Sequence, residues 1–423
     1  MTNVCGAAQS RRWWLRVIAS TFLLRVLGIV LAFVATIIFA RLLGPEEYGR
    51  YALVFSWATV AMVLAGLGLP EYLVREAACE HSPRAGAGLL RWADPRLLVA
   101  GVAAGLLLLG VGAVFVPGTG MVPLLLLAAP LPLLGSLAAV RQSILRARRR
   151  IAASLWPPLL VTPAGGIAGL YLAALWLGWS ASALMAASLA TALLVLALAW
   201  VQVGAPSPRH GAERRSLRVA LPFALIAVLF MINGRADQLM VGALLGAADA
   251  GIYTVAMRSA DFVSFPLLVA NTIIAPILAA AHQNGERVAM QRLLRISSRL
   301  TLLVAMPIAL VAILFGSELL GWVFGRSFSA GAQVLAILAG AQVLNVAFGS
   351  VGLVLNMCNL EWLAALGVGL AAMLNIALNI ALIPRLGIEG AALASLISVV
   401  CWNALLWRWV RRRLHLTASA VGG

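Results

Sequence analysis

From about residue 16 to about residue 410 the chain is a succession of apolar runs, each about as long as a membrane crossing and separated by short breaks. A helix needs about 20 apolar residues to cross roughly 30 Å of hydrocarbon. Hydrophobic residues make up 63% of the chain and charged residues 11%, against about 45–50% and about 25% in ordinary soluble domains. No soluble fold could bury that much apolar surface, so the chain is read as an all-α polytopic membrane protein. Apolar length and the charged or Pro/Gly breaks predict twelve helices, near 16–41, 50–70, 95–116, 121–140, 154–177, 180–203, 217–245, 252–279, 298–320, 330–355, 361–383 and 388–410.

The formal charge is +17, carried by arginine with no lysine. Such a charge points to nucleic acid only when it forms a stripe on a soluble surface, and here it sits in the breaks between apolar runs. Alternate breaks are arginine-rich, spanning Arg11–Arg16, Arg75–Arg96, Arg141–Arg150, Arg209–Arg218, Arg287–Arg299 and Arg408–Arg413. The intervening breaks hold only Arg41, Arg50, Arg326 and Arg385. By the positive-inside rule this imbalance predicts that both termini are cytoplasmic, and it supports an even helix count. Ser10-Arg11-Arg12 has a twin-arginine look, but the apolar run that follows is too long for a signal peptide core and is read as the first span.

Cys5, Cys79, Cys358 and Cys401 are scattered without paired spacing, and His81, His210, His282 and His415 fall in separate polar breaks. Neither a disulfide framework nor a metal site is predicted. No cofactor motif is found either, since P-loop, dinucleotide-turn and metal-spaced histidine patterns are all missing. No break exceeds about 25 residues, too few for a soluble catalytic domain, so the chain is not expected to be an enzyme.

Two segments repeat. RLLGPEEYGRYA (Arg41 to Ala52) matches ALLGAADAGIYT (Ala243 to Thr254) at Leu42/Leu244, Leu43/Leu245, Gly44/Gly246, Gly49/Gly251 and Tyr51/Tyr253. Each follows an odd-numbered helix, as a parallel duplication of six helices requires, and parallel repeats are a recognised transporter plan. The expected organisation is therefore two parallel six-helix lobes, 1–203 and 217–423, joined by a polar cytoplasmic linker at 204–216.

Polar groups within spans are costly enough to count as functional candidates. They are Arg25 in helix 1, Asn233, Arg235 and Asp237 in helix 7, and Arg258, Asp261 and Asn271 in helix 8, with Asn345, Asn375, Asn379 and Asn403 in later helices. Interhelical hydrogen bonding is the plain account of the asparagines. Arg25 can either snorkel towards the interface or offer a planar fork to an anion in a water-filled cavity. Helices 7 and 8 must form a hairpin, and equal depth along it sets Arg235 opposite Asp261 and Arg258 opposite Asp237 as predicted pairs. Arg258 with Asp261, three residues apart on one face, is the alternative.

The stretch from Leu24 to Trp57, LLGAADAGIYTVAMR from Leu244, FGRSF from Phe324 and NIALNIALIPRLGIEGAALAS from Asn375 together resemble the bacterial polysaccharide, or O-antigen, flippases of the multidrug/oligosaccharidyl-lipid/polysaccharide exporter superfamily. The resemblance implies a multi-pass protein of the bacterial inner membrane. Its lobes would open alternately to either face and move a polyprenyl-diphosphate-linked oligosaccharide for polysaccharide or lipopolysaccharide biosynthesis. Lipid-linked oligosaccharide, membrane lipid and other polysaccharide assembly proteins are the implied partners, and nucleic acid is not. Arg-Val-Leu-Gly at Arg25 to Gly28 also resembles the first helix of peptidoglycan-precursor flippases. That likeness implies a headgroup-binding role for Arg25 and for Arg258. Arg235 is a further candidate for the same role, Asp237 and Asp261 are candidates for a charge network, and Asn233 and Asn271 for a polar cavity. A drug/cation antiporter of the same superfamily and a membrane glycosyltransferase or ligase remain open as alternatives.

The arginine asymmetry makes a direct prediction. Cysteines introduced at Gly118, Ser180 and Gly246 should react with an impermeant maleimide added to intact cells, and cysteines at Gly86, Gly211 and Gly285 should not.

Overall fold

The computed structural model describes residues 11–78, 87–115, 121–204, 217–416 and 419. Ten of its helices are long and apolar enough to cross a membrane. Two of the ten contain a break: Arg11–Ala65 at Gly44 (φ 75°, ψ 175°) and Glu361–Leu414 at Gly387 (φ 64°, ψ −141°). The chain reverses at both, since Phe39 and Tyr51 bring their rings within 6.5 Å and Gly390 packs against the Leu382 carbonyl. Among the described residues twelve crossings result, the number that the apolar runs predict. They are α1 (11–43), α2 (45–65), α3 (Ala87–Phe115), α4 (Met121–Ala147), α5 (Ile151–Leu177), α6 (Ala181–Val203), α7 (Leu221–Leu245), α8 (Ala247–Gln283), α9 (Arg287–Leu314), α10 (Ala332–Phe348), α11 (361–386) and α12 (388–414).

The loop expected between the first two helices shrinks to Gly44. A left-handed residue followed by Pro45 at the start of α2 reverses the chain within one position, which only glycine does without strain. The same device recurs at Gly178 (φ 66°, ψ −179°) after α5 and at Gly246 (φ 102°, ψ −178°) between α7 and α8. With Gly387 these four turns occupy one face of the molecule, here the turn face. The opposite, arginine-rich face has longer helix ends. There α8 runs to Gln283 rather than 279, and α9 starts at Arg287 rather than 298. Helical hydrogen bonding thus continues past the apolar stretch into the polar flank. Most of the expected linker, 205–216, lies outside the described residues.

The sequence repeat acquires a physical meaning. Tyr51 on α2 hydrogen-bonds Ser188 on α6 at 3.0 Å, and its counterpart Tyr253 on α8 meets Ser395 on α12 at 3.4 Å. Gly49 and Gly251, the second matched glycines, lie where α2 and α8 cross. A Cβ at Gly49 would stand 1.8 Å from the Ala247 carbonyl oxygen, and one at Gly251 2.2 Å from that of Pro45. In lipid, helix association rests on such close packing of small residues and on interhelical hydrogen bonds. Arg41 adds a second tie at the turn face, donating to the Trp322 carbonyl at 2.6 Å. Glu47 caps α6 by accepting the Ala181 N–H at 2.7 Å. The largest buried cluster accordingly joins residues of both sequence halves, including Leu53, Leu170 and Leu184 with Val241, Tyr253 and Leu335.

Because backbone rather than a side-chain tip opposes each missing Cβ at the crossing, Gly49→Ala and Gly251→Ala should each destabilise the purified protein by about 1–3 kcal/mol in thermal unfolding. Gly340→Ala, with nothing within 4 Å of its Cβ position, should change stability by less than about 0.5 kcal/mol. Equal melting temperatures for all three variants would refute the close crossing.

Candidate functional site

Directly beneath the Gly49/Gly251 crossing, α1, α2, α7 and α8 enclose a cavity of about 500 Å³. Tyr48, Ala52 and Thr254 form its end at the turn face, and Ile29 and Leu268 lie towards the arginine-rich face. One wall is aromatic. Tyr48, Tyr51 and Phe55 fall at three- and four-residue spacing along α2, with Tyr51 stacked on Phe55 at 5.4 Å, and Phe33 on α1 meets Phe262 on α8 edge to face at 4.3 Å.

The other wall is charged. Arg235 enters from α7, and Arg258 and Asp261 enter from α8. Arg235 reaches Ser56 at 3.4 Å and Gln238 at 3.3 Å, both long contacts. Ser56 and Gln238 are themselves buried and bonded at 2.9 Å, and Gln238 also donates to the Ala52 carbonyl at 3.2 Å. This chain of bonds links α2 to α7 at the cavity wall. A smaller cavity of about 260 Å³ lies on the far side of Arg235, Arg258 and Asp261, towards α10 and α12. It is lined also by Asn233, Asp237, Gln342 and Ser395.

Asp237 is held from several directions. Its Oδ1 accepts from Asn379 at 2.7 Å, its Oδ2 from Tyr253 at 3.1 Å, and Ser395 also donates to Oδ2. Asn379 in turn donates to Asn375 at 2.9 Å. A carboxylate inside a membrane protein is tolerable where such donors, an ion pair or a water-filled cavity meet it, and here donors do so.

The expected hairpin pairs are not the contacts formed. Arg258 has its ion pair with Asp261 at 3.8 Å, the same-helix alternative, while Arg235 turns to Ser56 and Gln238 and Asp237 to Tyr253, Asn379 and Ser395. The reason is the length of the turn. Apolar length leaves about six residues between helices 7 and 8, whereas Gly246 alone joins Leu245 to Ala247. The expected partners are therefore offset in depth by about 4.5–6 Å at a rise of about 1.5 Å per residue.

The remaining predicted positions separate. Arg25 is exposed and lies one helical turn beyond Ile29 towards the arginine-rich face, so it stands outside the cavity wall. Asn271 is bonded by Ser350 at 2.5 Å and ties α8 to the segment after α10. Asn233 lines the smaller cavity. Ser56, Gln238 and Ser395 escaped the sequence reading, which weighed charges and asparagines within spans. Small hydroxyls and a lone glutamine in apolar helices were the signal available.

Comparison with known proteins places this architecture. Residues 38–333 match the family described as polysaccharide biosynthesis protein. The probable low-salt glycan biosynthesis flippase Agl15 of Haloferax volcanii is 28% identical over 210 residues, covering 48% of this chain and 44% of that protein. The chain thus spans less than half the length of this relative. Among solved structures, an inward-facing multidrug resistance MATE family transporter of the MOP superfamily superposes with a TM-score of 0.76. It is 14% identical, with 92% of this chain and 94% of that one covered. The lipid II flippase MurJ in an inward closed conformation gives 0.73 at 16% identity, covering 94% and 87%. The fold is therefore the one those transporters share, and with more than half of its length matched, the chain belongs to the polysaccharide biosynthesis protein family.

Proposed function

We propose that this chain is a flippase. It would carry a polyprenyl-diphosphate-linked oligosaccharide across the bacterial inner membrane by alternating access, in polysaccharide biosynthesis of the lipopolysaccharide or O-antigen kind. The observation that carries this reading is the placement of Arg235 and Arg258 in a cavity at membrane depth, closed at the turn face. Charged groups at that depth are retained for pathways and ligands, and guanidinium forks match the oxygens of a diphosphate. In this reading the arginine-rich face and both termini are cytoplasmic, so the cavity is poised to load from the inner leaflet. Arg25, a turn outside the cavity, meets the headgroup first and hands it to Arg258 and Arg235. Asp237 and Asp261 form the charge network that couples loading to movement, with Asn233 and Asn271 as neighbouring polar groups. The lobes 1–203 and 217–423 are the moving bodies and 204–216 their linker. Lipid-linked oligosaccharide and membrane lipid are the partners, together with other polysaccharide assembly proteins.

The relatives supply independent support, since a glycan biosynthesis flippase and a lipid II flippase stand among them. A drug/cation antiporter would share the fold, but the cavity here offers two guanidinium groups against one carboxylate, a poor match to a cationic drug. Glycosyl transfer is disfavoured by the shortness of the connections at the turn face.

Purified protein in liposomes containing a fluorescent undecaprenyl-diphosphate oligosaccharide should expose the label to an outside quencher faster than empty liposomes do. Arg25→Ala and Arg258→Ala should each slow this by at least about tenfold at unchanged protein abundance, the loss expected for a charge-assisted bond of about 1.5–3 kcal/mol. Arg25→Lys should recover only part of the rate, because the bidentate fork is lost. Full transport by Arg25→Ala would leave Arg25 a snorkelling residue.

A further inference from the structure

The two carboxylates near the cavity are held in opposite ways. Both oxygens of Asp237 are occupied by donors from α8, α11 and α12. Asp261 is different. Among the described residues no hydrogen-bond donor reaches its carboxylate, and its one ion pair is with Arg258 at 3.8 Å, close to the outer limit of such contacts. Both side chains are about half exposed, 41% for Arg258 and 48% for Asp261, and both line the two cavities. The bond of Ser264 goes to the Asp261 backbone carbonyl, not to the carboxylate. Arg258 likewise has the Asp261 carboxylate as its ion-pair partner, and Arg235 on the same wall is held only by long contacts to neutral groups.

We propose that Asp261 is a built-in competitor for the anion site, a carboxylate that occupies Arg258 while the cavity is empty and is displaced when a diphosphate enters. The inference rests on the anion-binding reading of the cavity and adds a specificity-determining residue to it. A cavity holding two guanidinium groups and no internal anion would bind any phosphate-bearing lipid tightly and release it slowly. A carboxylate three residues from Arg258 on the same helix face stays within reach of the same guanidinium. It therefore sets a threshold that a monoanionic phospholipid headgroup meets poorly and a diphosphate meets well. Once displaced, it stands ready to return to Arg258 and expel the product. Asp237, saturated by neutral donors, cannot play this part because leaving its partners would break three hydrogen bonds, two of them from the buried Tyr253 and Asn379.

The test is binding of farnesyl diphosphate to the purified full-length protein in detergent, followed by native mass spectrometry, with farnesol as the uncharged control. Asp261→Asn keeps the shape and removes the charge. It should bind farnesyl diphosphate at least about fivefold more tightly than the unmodified chain, the lower end of a site–site coupling, and should narrow the preference for farnesyl diphosphate over phosphatidylglycerol. In an Arg258→Gln background the same substitution should have no effect. Asp261→Glu, which restores the charge, should return affinity towards that of the unmodified chain and report on folding of the site. If Asp261→Asn binds no more tightly while Arg258→Gln weakens binding, the competitor role is overturned and the anion site stands. If farnesyl diphosphate binds no better than farnesol to any variant, the anion-site reading falls and the competitor falls with it.

Discussion

The crossing of α2 and α8 at Gly49 and Gly251 is the contact on which the rest of the arrangement depends. It brings the two sequence halves together backbone to backbone at the turn face, where neither position has room for a methyl group. Below it the helices diverge, and the space they leave is the cavity. Lipid tails are as apolar as the helix surfaces, so burial alone cannot hold the halves in register. Close packing and a few directional bonds must do so, which is why Arg41 to Trp322 and Ser56 to Gln238 appear where they do.

Polar groups at membrane depth divide into anchored and mobile sets, and the division follows from the cost of leaving a donor or acceptor unmatched in a low-dielectric interior. Ser56, Gln238, Asn375 and Asn379 are buried and bonded to one another or to backbone. They fix helix rotation. Arg258 and Asp261 are half exposed to the cavities and weakly paired, so their geometry can change without stranding a buried partner.

Much of the fold was legible in the sequence, because the bilayer imposes a length on every apolar run and Arg41–Ala52 repeats as Ala243–Thr254. The site was legible only as a set of residue types. Arg235, Arg258 and Asp261 could be picked out by their cost in a span, and all three line the cavity. Their partners could not, because pairing depends on helix rotation. Depth along the hairpin was not fixed either, because Gly246 alone joins α7 to α8 where apolar length leaves about six residues, and that shifts which residues are level. Arg25 illustrates the same limit, since its position along α1 was readable but not that it falls a turn outside the cavity wall. Gly178 and Gly387 form a second matched pair with similar turns, but their shared sequence, Leu-Gly followed by Ala-Leu at Ala183-Leu184 and Ala392-Leu393, is too short and too common in apolar helices to stand out.

The duplication also explains how one cavity acquires two unlike walls. In the register that sets Gly44 on Gly246, Phe33 corresponds to Arg235, Thr36 to Gln238 and Ser56 to Arg258, and all six line the cavity. Equivalent helices thus present equivalent positions to the same space, and the difference lies wholly in the side chains. At the cavity the first half supplies only aromatic, apolar and neutral polar groups, whereas all the charge comes from the second half, alongside Phe262 and Phe265. A symmetric pair of cationic walls would repel itself and close poorly, since like charges facing across a low-dielectric gap cost several kcal/mol or more. Divergence of the two copies removes that repulsion while keeping both guanidinium groups on one side. On the proposed flippase reading, an amphipathic anion would enter with its anionic group towards α7 and α8 and its apolar part against the aromatic side of α1 and α2.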